Sequence, residues 1–327
     1  MNAFDQVIGQ ERAVRHLRAA LSTPHHAYLF VGPTGIGKET AAKAFALALN
    51  CTLGEGCLDA EGACAECLAI HHGNHPDVRI AVPSEGKKVF SVEDVRKLVQ
   101  EAAWKAHRGK WKVYIVSTEL LNVQGANTLL KTVEEPVPGT VIVLLGPSVD
   151  AVLPTLVSRC QIVPFGPVAR PLIESELQKR GVDELRAKEL SALADGRLGW
   201  ALTESQHEAP EPPRLVALTT MTDRLGEAER LAALDTESQQ RAVESLLIQV
   251  RDIIIWAETG RDDLVSRSAD AAARHRGLPR EYWLRVLSRL EKHRRQLLSH
   301  ANAKLAWTVL AGDLAPTARE LERSARS

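Results

Sequence analysis

The sequence has no excess of charge of either sign: 41 Lys plus Arg stand against 41 Asp plus Glu in 327 residues. That balance excludes a basic field over the whole chain, so any hold on nucleic acid must come from a local patch or from an assembly. No apolar run approaches the roughly 18 residues of a membrane span. The first ten residues, Met1 to Gln10, are polar and lack the apolar core of a secretion signal. Those absences lead us to expect a cytoplasmic protein with no membrane contact. No internal repeat or low-complexity tract is present. Cysteine is scarce as well, with five in the chain, all expected to be reduced in that compartment. Four of the five fall between Cys51 and Cys67, which argues for a metal site over disulfides.

What is present reads as a soluble globular protein, with 45% hydrophobic and 25% charged residues. The length exceeds one ordinary core, so two or three domains are expected. In residues 1–167 helical patterns alternate with near-continuous apolar runs at Tyr28–Val31, Val78–Val82, Val113–Val116 and Val141–Leu145. Such runs suit parallel strands covered on both faces, and hence a three-layer α/β domain with a parallel sheet. Ser91 and Asp94 form a capping-box-like start ahead of Val92, Val95, Leu98, Val99 and Ala102. Asn122 begins a second helix that runs to Glu135 and is stopped by Pro136. Residues 168–207 read as short helices, forming a small helical domain. The stretch His207–Arg214, with three prolines, is the best linker. Residues 208–327 read as an all-α domain, with helices over Gln240–Thr259, Glu281–Ser299 and Asn302–Gly312. Leu246, Leu247, Val250, Ile253, Ile254 and Trp256 form its broad apolar stripe.

The sharpest motif is Gly32-Pro-Thr-Gly35-Ile-Gly37-Lys38, which follows the first strand and opens a helix. In that setting glycines let backbone N–H groups face phosphate oxygens, the helix N-terminus adds positive potential, and Lys38 reaches the β and γ oxygens. The next position breaks the pattern. A Ser or Thr hydroxyl should bind Mg²⁺ there, and Glu39 stands instead. Thr40 does not replace it, because one step along a helix turns a side chain by about 100°. The strand Val113–Val116 also ends in Ser117 and Thr118 where a phosphate-loop ATPase needs acids, with Glu119 two places late. Weak or absent ATP binding is expected, and hydrolysis by this chain alone is not.

Further segments carry a resemblance. Phe4-Asp-Gln-Val-Ile-Gly-Gln10, His26-Ala-Tyr-Leu-Phe30, His75-Pro-Asp77, Asn127-Thr-Leu-Leu-Lys-Thr-Val-Glu-Glu-Pro136 and Ser158-Arg159-Cys160 together resemble the clamp-loader branch of the AAA+ family. The resemblance implies an AAA+ phosphate-loop domain over residues 1–167, a helical lid over 168–207 and a helical collar over 208–327. In that family a basic nucleotide sensor lies near Gly196-Arg-Leu-Gly-Trp200; Arg197 is present, but active relatives carry arginine where Gly199 stands. By the same resemblance Arg159 is an arginine finger offered in trans to a neighbouring gamma/tau subunit. The implied assembly is a hetero-oligomer with gamma/tau and delta subunits that places the β sliding clamp on primed DNA for DNA polymerase III. The rival within the family is an ATP-hydrolysing gamma/tau-like motor, against which the short C-terminal region also speaks. A small-molecule kinase leaves the cysteines and the last helices unexplained. Neutral charge counts against a free-standing zinc-containing nucleic-acid binder.

Cys51, Cys57, Cys64 and Cys67 fit a structural zinc site of four thiolates, with no open position for chemistry. Cys64-Ala-Glu-Cys67 supplies two ligands from one turn. The family more often groups three cysteines tightly, which makes Cys57 the least secure of the four. His71, His72 and His75 lie close enough in sequence to substitute as ligands, but read more plainly as exposed histidines, and Cys160 reads as a packed residue with no base beside it. Lys87, Lys88, Lys105, Arg108, Lys110 and Lys112 make the loops around the central strands locally basic, which suits either a face toward DNA or a solvated surface.

Overall fold

The computed structural model describes residues 2–57, 62–87, 89–206, 213–266, 268–275, 277–298 and 302–316. Residues 207–212 of the expected linker, Lys88 and Ser299 lie outside the described residues. The chain divides into two compact units, Met1–Ile173 with Ala194–Leu202, and Glu174–Leu193 with Thr203–Ser327.

In chain order, the first elements are α1 (Glu11–Ala20), β1 (Ala27–Val31), α2 (Lys38–Asn50), α3 (Ala65–His71), β2 (Val78–Ile80), α4 (Val92–Ala102) and β3 (Lys112–Ser117). Then come α5 (Val123–Glu134), β4 (Thr140–Gly146), α6 (Pro154–Val157), β5 (Gln161–Pro164), α7 (Arg170–Lys179), α8 (Glu184–Ala194) and α9 (Leu198–Ser205). The five strands form one parallel sheet in the order β2-β3-β4-β1-β5, so the α/β reading holds. β1 and β4 are buried at every position, as the apolar runs required. One sheet face packs on an alanine-rich α2, whose small side chains let the helix lie close against Tyr28, Phe30, Val113 and Val141. The opposite face, from Leu29, Tyr114, Ile142 and Leu144, is covered by Leu98 of α4 and Leu129 of α5.

Local signals set the helix ends. Ser91 and Asp94 form the expected reciprocal capping box on α4. Asn122 accepts from the N–H of Gly125 at 2.7 Å, and α5 stops at Glu134, one residue short of the expected end. β5 was not expected from the pattern. Its four residues sit at the sheet edge with Ile162 partly exposed, so burial left little apolar signature there.

The second unit holds α10 (Met221–Ala232), α11 (Thr236–Thr259), α12 (Ser268–His275), α13 (Arg280–Leu298) and α14 (Ala303–Asp313). Leu246, Val250 and Ile253 of the expected stripe are fully buried against Tyr282, Trp283, Val286 and Trp307, while Leu247, Ile254 and Trp256 are half-buried. His293 is 2% exposed in this core, with its ring edge-on to Trp307 at 4.3 Å. Neither ring nitrogen meets a hydrogen-bond partner among the described residues. Burial pushes the imidazole down to about 4, so the folded state keeps it neutral. An unfolded chain takes up that proton below about 6.5, so His293 stabilises above that value and the contribution is lost as pH falls toward 4. The loss amounts to about 3 kcal/mol from this one group. Chemical denaturation of the wild type and of His293→Phe between pH 7 and 4.5 checks this: the variant should show the flatter dependence of stability on pH.

Candidate functional site

The parallel sheet places the phosphate-loop segment beyond the C-terminal end of β1. Gly32, Gly35 and Gly37 adopt φ of 156°, 81° and 104°, and Gly37 serves as N-cap of α2. At Gly35 and Gly37 the left-handed backbone favours glycine. The loop closes on its own chain. The Lys38 ammonium donates to the carbonyls of Gly32 and, at 2.9 Å, Pro33. Burial lowers the pKa of Lys38, opposed by the charge of Glu119. Gly199 at the start of α9 donates its N–H to the Gly35 carbonyl at 2.7 Å. A Cβ on Gly199 would stand 2.9 Å from that carbonyl oxygen, and one on Gly35 would stand 3.0 Å from the Trp200 nitrogen. Gln10 binds the same loop, donating to Ile36 and Gly166 while accepting from the Gly166 N–H. Arg197 turns toward its own turn and helix, with Nε on the Ala194 carbonyl and its guanidinium over the Trp200 ring at 5.4 Å.

The residues read as disabling the loop are placed as follows. Glu39 is half-exposed and pairs with Lys43 at 2.7 Å. At the end of β3, the Thr118 hydroxyl donates to the Leu145 carbonyl at 3.0 Å. Glu119 lies closer to the loop than its sequence position suggested, accepting from the Thr34 hydroxyl at 3.3 Å. The turn that carries it, Thr118–Leu120, folds back beneath the loop, which strand spacing alone did not reveal.

Arg159 stands between α6 and β5, with its side chain 38% exposed. Its guanidinium pairs with Glu134 at the end of α5 at 2.7 Å and donates to the Thr155 carbonyl and the Ser158 hydroxyl. A pair this exposed contributes about 0–1 kcal/mol and yields readily to a stronger anion. Burial pushes the neighbouring Cys160 thiol up to about 12, so it presents no thiolate for chemistry.

Cys51, Cys57, Cys64 and Cys67 come together, with all four sulfurs within 4.8 Å of one another. Cys51 lies 3.6 Å from Cys57 and 3.9 Å from Cys64. Four thiolates around a tetrahedral ion, at a bond length of about 2.3 Å, would stand roughly 3.8 Å apart, so the cluster is able to hold a metal ion. Cys57 therefore sits with the other three despite its loose spacing. The N-terminal segment helps to place it, since Ala3 donates to the Gly56 carbonyl at 3.1 Å and Asn2 bridges to Cys57. Backbone N–H groups point at each sulfur, from Leu53, Cys57, Cys64 and Cys67. Burial raises the Cys64 thiol, but donors from Thr52 and Cys67 outweigh it and bring the group down to about 6. Burial and the adjacent sulfurs push Cys67 up. Four thiolates so close would need a cation between them, which is what a dication would supply.

His75 corrects the reading of exposed histidines: His71 and His72 are exposed, but His75 is buried. Its Nδ1 accepts from the Asp77 N–H at 3.0 Å, so the proton sits on Nε2, which donates to Glu66 at 2.8 Å. Glu66 lies inside the Cys64–Cys67 turn and also accepts from Arg108 at 2.8 Å. Burial opposes ionisation of Glu66, yet Arg108 and His75 hold its carboxyl below the usual range. Replacing Cys67, the most buried of the four cysteines, with Ser should abolish stoichiometric metal uptake and lower the melting temperature of the metal-loaded protein by several degrees. Elemental analysis of the purified chain, paired with thermal melts before and after chelation, checks both outcomes.

The family model described as "DNA polymerase III, delta subunit" matches residues 9–169. The DNA polymerase III subunit delta' of Pseudomonas aeruginosa is 41% identical over 139 residues, covering 41% of this chain and 41% of that protein. The delta' subunit of Bacillus subtilis is 33% identical over 171 residues, covering 52% of this chain and 51% of that protein. The DNA polymerase III subunit tau of Salmonella typhimurium is 31% identical over 281 residues, covering 77% of this chain and 43% of that protein. The chain spans about half or less of the length of these curated relatives. A solved structure of a DNA polymerase III gamma subunit-related protein from Thermotoga maritima aligns with a TM-score of 0.46 at 18% identity, over 95% of this chain and 99% of that one. Over residues 9–169 the chain is similar to the DNA polymerase III delta-subunit family, and its delta' relatives match over a similar length of chain.

Proposed function

We propose that this chain is a delta-prime-type subunit of a bacterial clamp loader. In this reading it does not hydrolyse ATP itself, and it offers Arg159 to the ATP site of a neighbouring gamma/tau subunit. The assembly, with a delta subunit, opens the β sliding clamp and places it on primed DNA. The observation that carries the reading is the state of the position after Lys38: Glu39 pairs with Lys43 one turn along α2 and offers no hydroxyl to Mg²⁺. The partly exposed guanidinium of Arg159 supports the second half, because a planar fork held by one weak ion pair and two surface hydrogen bonds is able to transfer to phosphate oxygens.

The bound metal, in this reading, is zinc, held by Cys51, Cys57, Cys64 and Cys67 as a closed structural site. The lid over 168–207 and the collar over 208–327 belong to the same proposal. A specific observation favours the alternative of an ATP-hydrolysing gamma/tau-like motor. Glu119 sits at the loop, bonded to Thr34 and acting on Lys38, where it could take over a metal-holding task.

ATP hydrolysis separates the two. The chain alone should be silent, and its addition to gamma/tau and delta with β clamp and primed DNA should stimulate turnover. Arg159→Ala should slow the served site by on the order of 10³-fold while gel filtration shows the complex still assembled. An unchanged rate with Arg159→Ala sinks the finger; turnover by the isolated chain that Lys38→Ala abolishes establishes the motor instead.

A further inference from the structure

The N-terminal edge of the sheet, opposite the phosphate loop, carries a feature that nucleotide chemistry does not use. Between α4 and β3 the chain reads Trp104-Lys-Ala-His-Arg-Gly-Lys-Trp-Lys112, with cations interleaved between aromatic residues. The Trp104 indole is 69% exposed, and Lys105 and Lys110 of the same loop are exposed as well. A groove of about 580 Å³ opens at the same place, lined by Asp77, Arg79, Glu101, Trp104, Lys105 and Lys112 among others. We propose that this loop and groove form a docking site for an unpaired nucleic-acid strand, with a base stacked on Trp104 and phosphates on Lys105 and Lys110.

The loop is held rigid in this shape. The buried carboxylate of Asp77 accepts three backbone N–H groups, from His107, Arg108 and Gly109, each at 2.7 Å. The Trp111 N–H donates to Asn50 Oδ1 at 2.9 Å, and a side chain on Gly109 would stand 2.7 Å from that same oxygen. The buried Lys112 ammonium donates to the Glu101 carbonyl and, at 2.9 Å, to the carbonyl of Trp104 itself. An indole left in water on a backbone pinned this firmly is presented, not merely unpacked.

Charge points the same way. The three carboxylates nearby are consumed internally: Asp77 by the loop amides, Glu66 by His75 and Arg108, and Glu101 by Arg79. Lys105 and Lys110 make no ion pair among the described residues, so the rim is positive. Base stacking on an aromatic face contributes roughly 1–3 kcal/mol per base and needs no particular sequence. An acidic peptide would draw on the lysines but gain nothing comparable from the indole. A blunt duplex keeps its bases stacked inside and is excluded from it.

The test is fluorescence anisotropy of a labelled oligothymidylate of about 15 nucleotides, titrated with the full chain at low salt. Trp104→Ala should weaken binding roughly tenfold or more with the salt dependence unchanged, and Trp104→Phe should restore most of it. Replacing Lys105 and Lys110 with Gln should instead flatten the slope of log affinity against log salt, by about 0.7 per lysine. A blunt duplex of equal length should be insensitive to Trp104→Ala. The proposal is overturned if the Trp104→Ala chain binds the strand as the wild type does, or if a polyglutamate peptide binds with the same dependence on Trp104. The assay holds no ATP and no second subunit, so its result is independent of the Arg159 reading.

Discussion

A parallel sheet buried on both faces leaves chemistry only at its two edges. In this chain β1 is bonded to β4 on one side and β5 on the other, with no face or edge open to water. Its C-terminal end must therefore deliver the phosphate-loop segment, and the same edge gathers Ser117, Thr118 and Glu119 from the end of β3. The helix α2 then runs back along the sheet, so its last residues emerge at the opposite edge. Cys51 begins the cysteine site there, and Asn50 just before it accepts from the Trp111 N–H in the loop ahead of β3. The two candidate sites are separated by the length of a helix because of how parallel strands must be connected.

Much of this was legible in the sequence. The strands β1 to β4, the caps at Ser91 and Asn122, and the glycine spacing of the loop each follow from short-range rules. The cysteines were legible as a group because four thiols in so short a span suit the ligand set of one tetrahedral metal ion. The structure also shows why Cys57 joins them: an N-terminal strand-like contact to Gly56 and Cys57 fixes a turn that spacing left undetermined.

What the sequence hid depends on contacts between distant segments. His75 looked like one of three exposed histidines, and only the fold shows it bonded between Asp77 and Glu66. Glu119 looked two residues out of place, yet the turn at Thr118–Leu120 carries its carboxylate to Thr34. β5 was missed because an edge strand with one buried valine and one exposed isoleucine leaves no apolar run. Arg159 was visible as part of a motif, but its partner Glu134 belongs to a helix 25 positions earlier. In each case the missing information was a pairing partner, which no window along the chain contains.

The bond from Gly199 to Gly35 also leaves no room for a side chain at position 199. Any side chain at 199 would press on the loop carbonyl at 2.9 Å, so an arginine there requires α9 to back away first. Retreat of α9 would strand the Gly35 carbonyl and uncover the loop that Lys38 now seals with its own ammonium. Several positions would have to change together, with each single step disfavoured on its own. The contact thus admits only glycine at position 199 for as long as α9 rests on the loop.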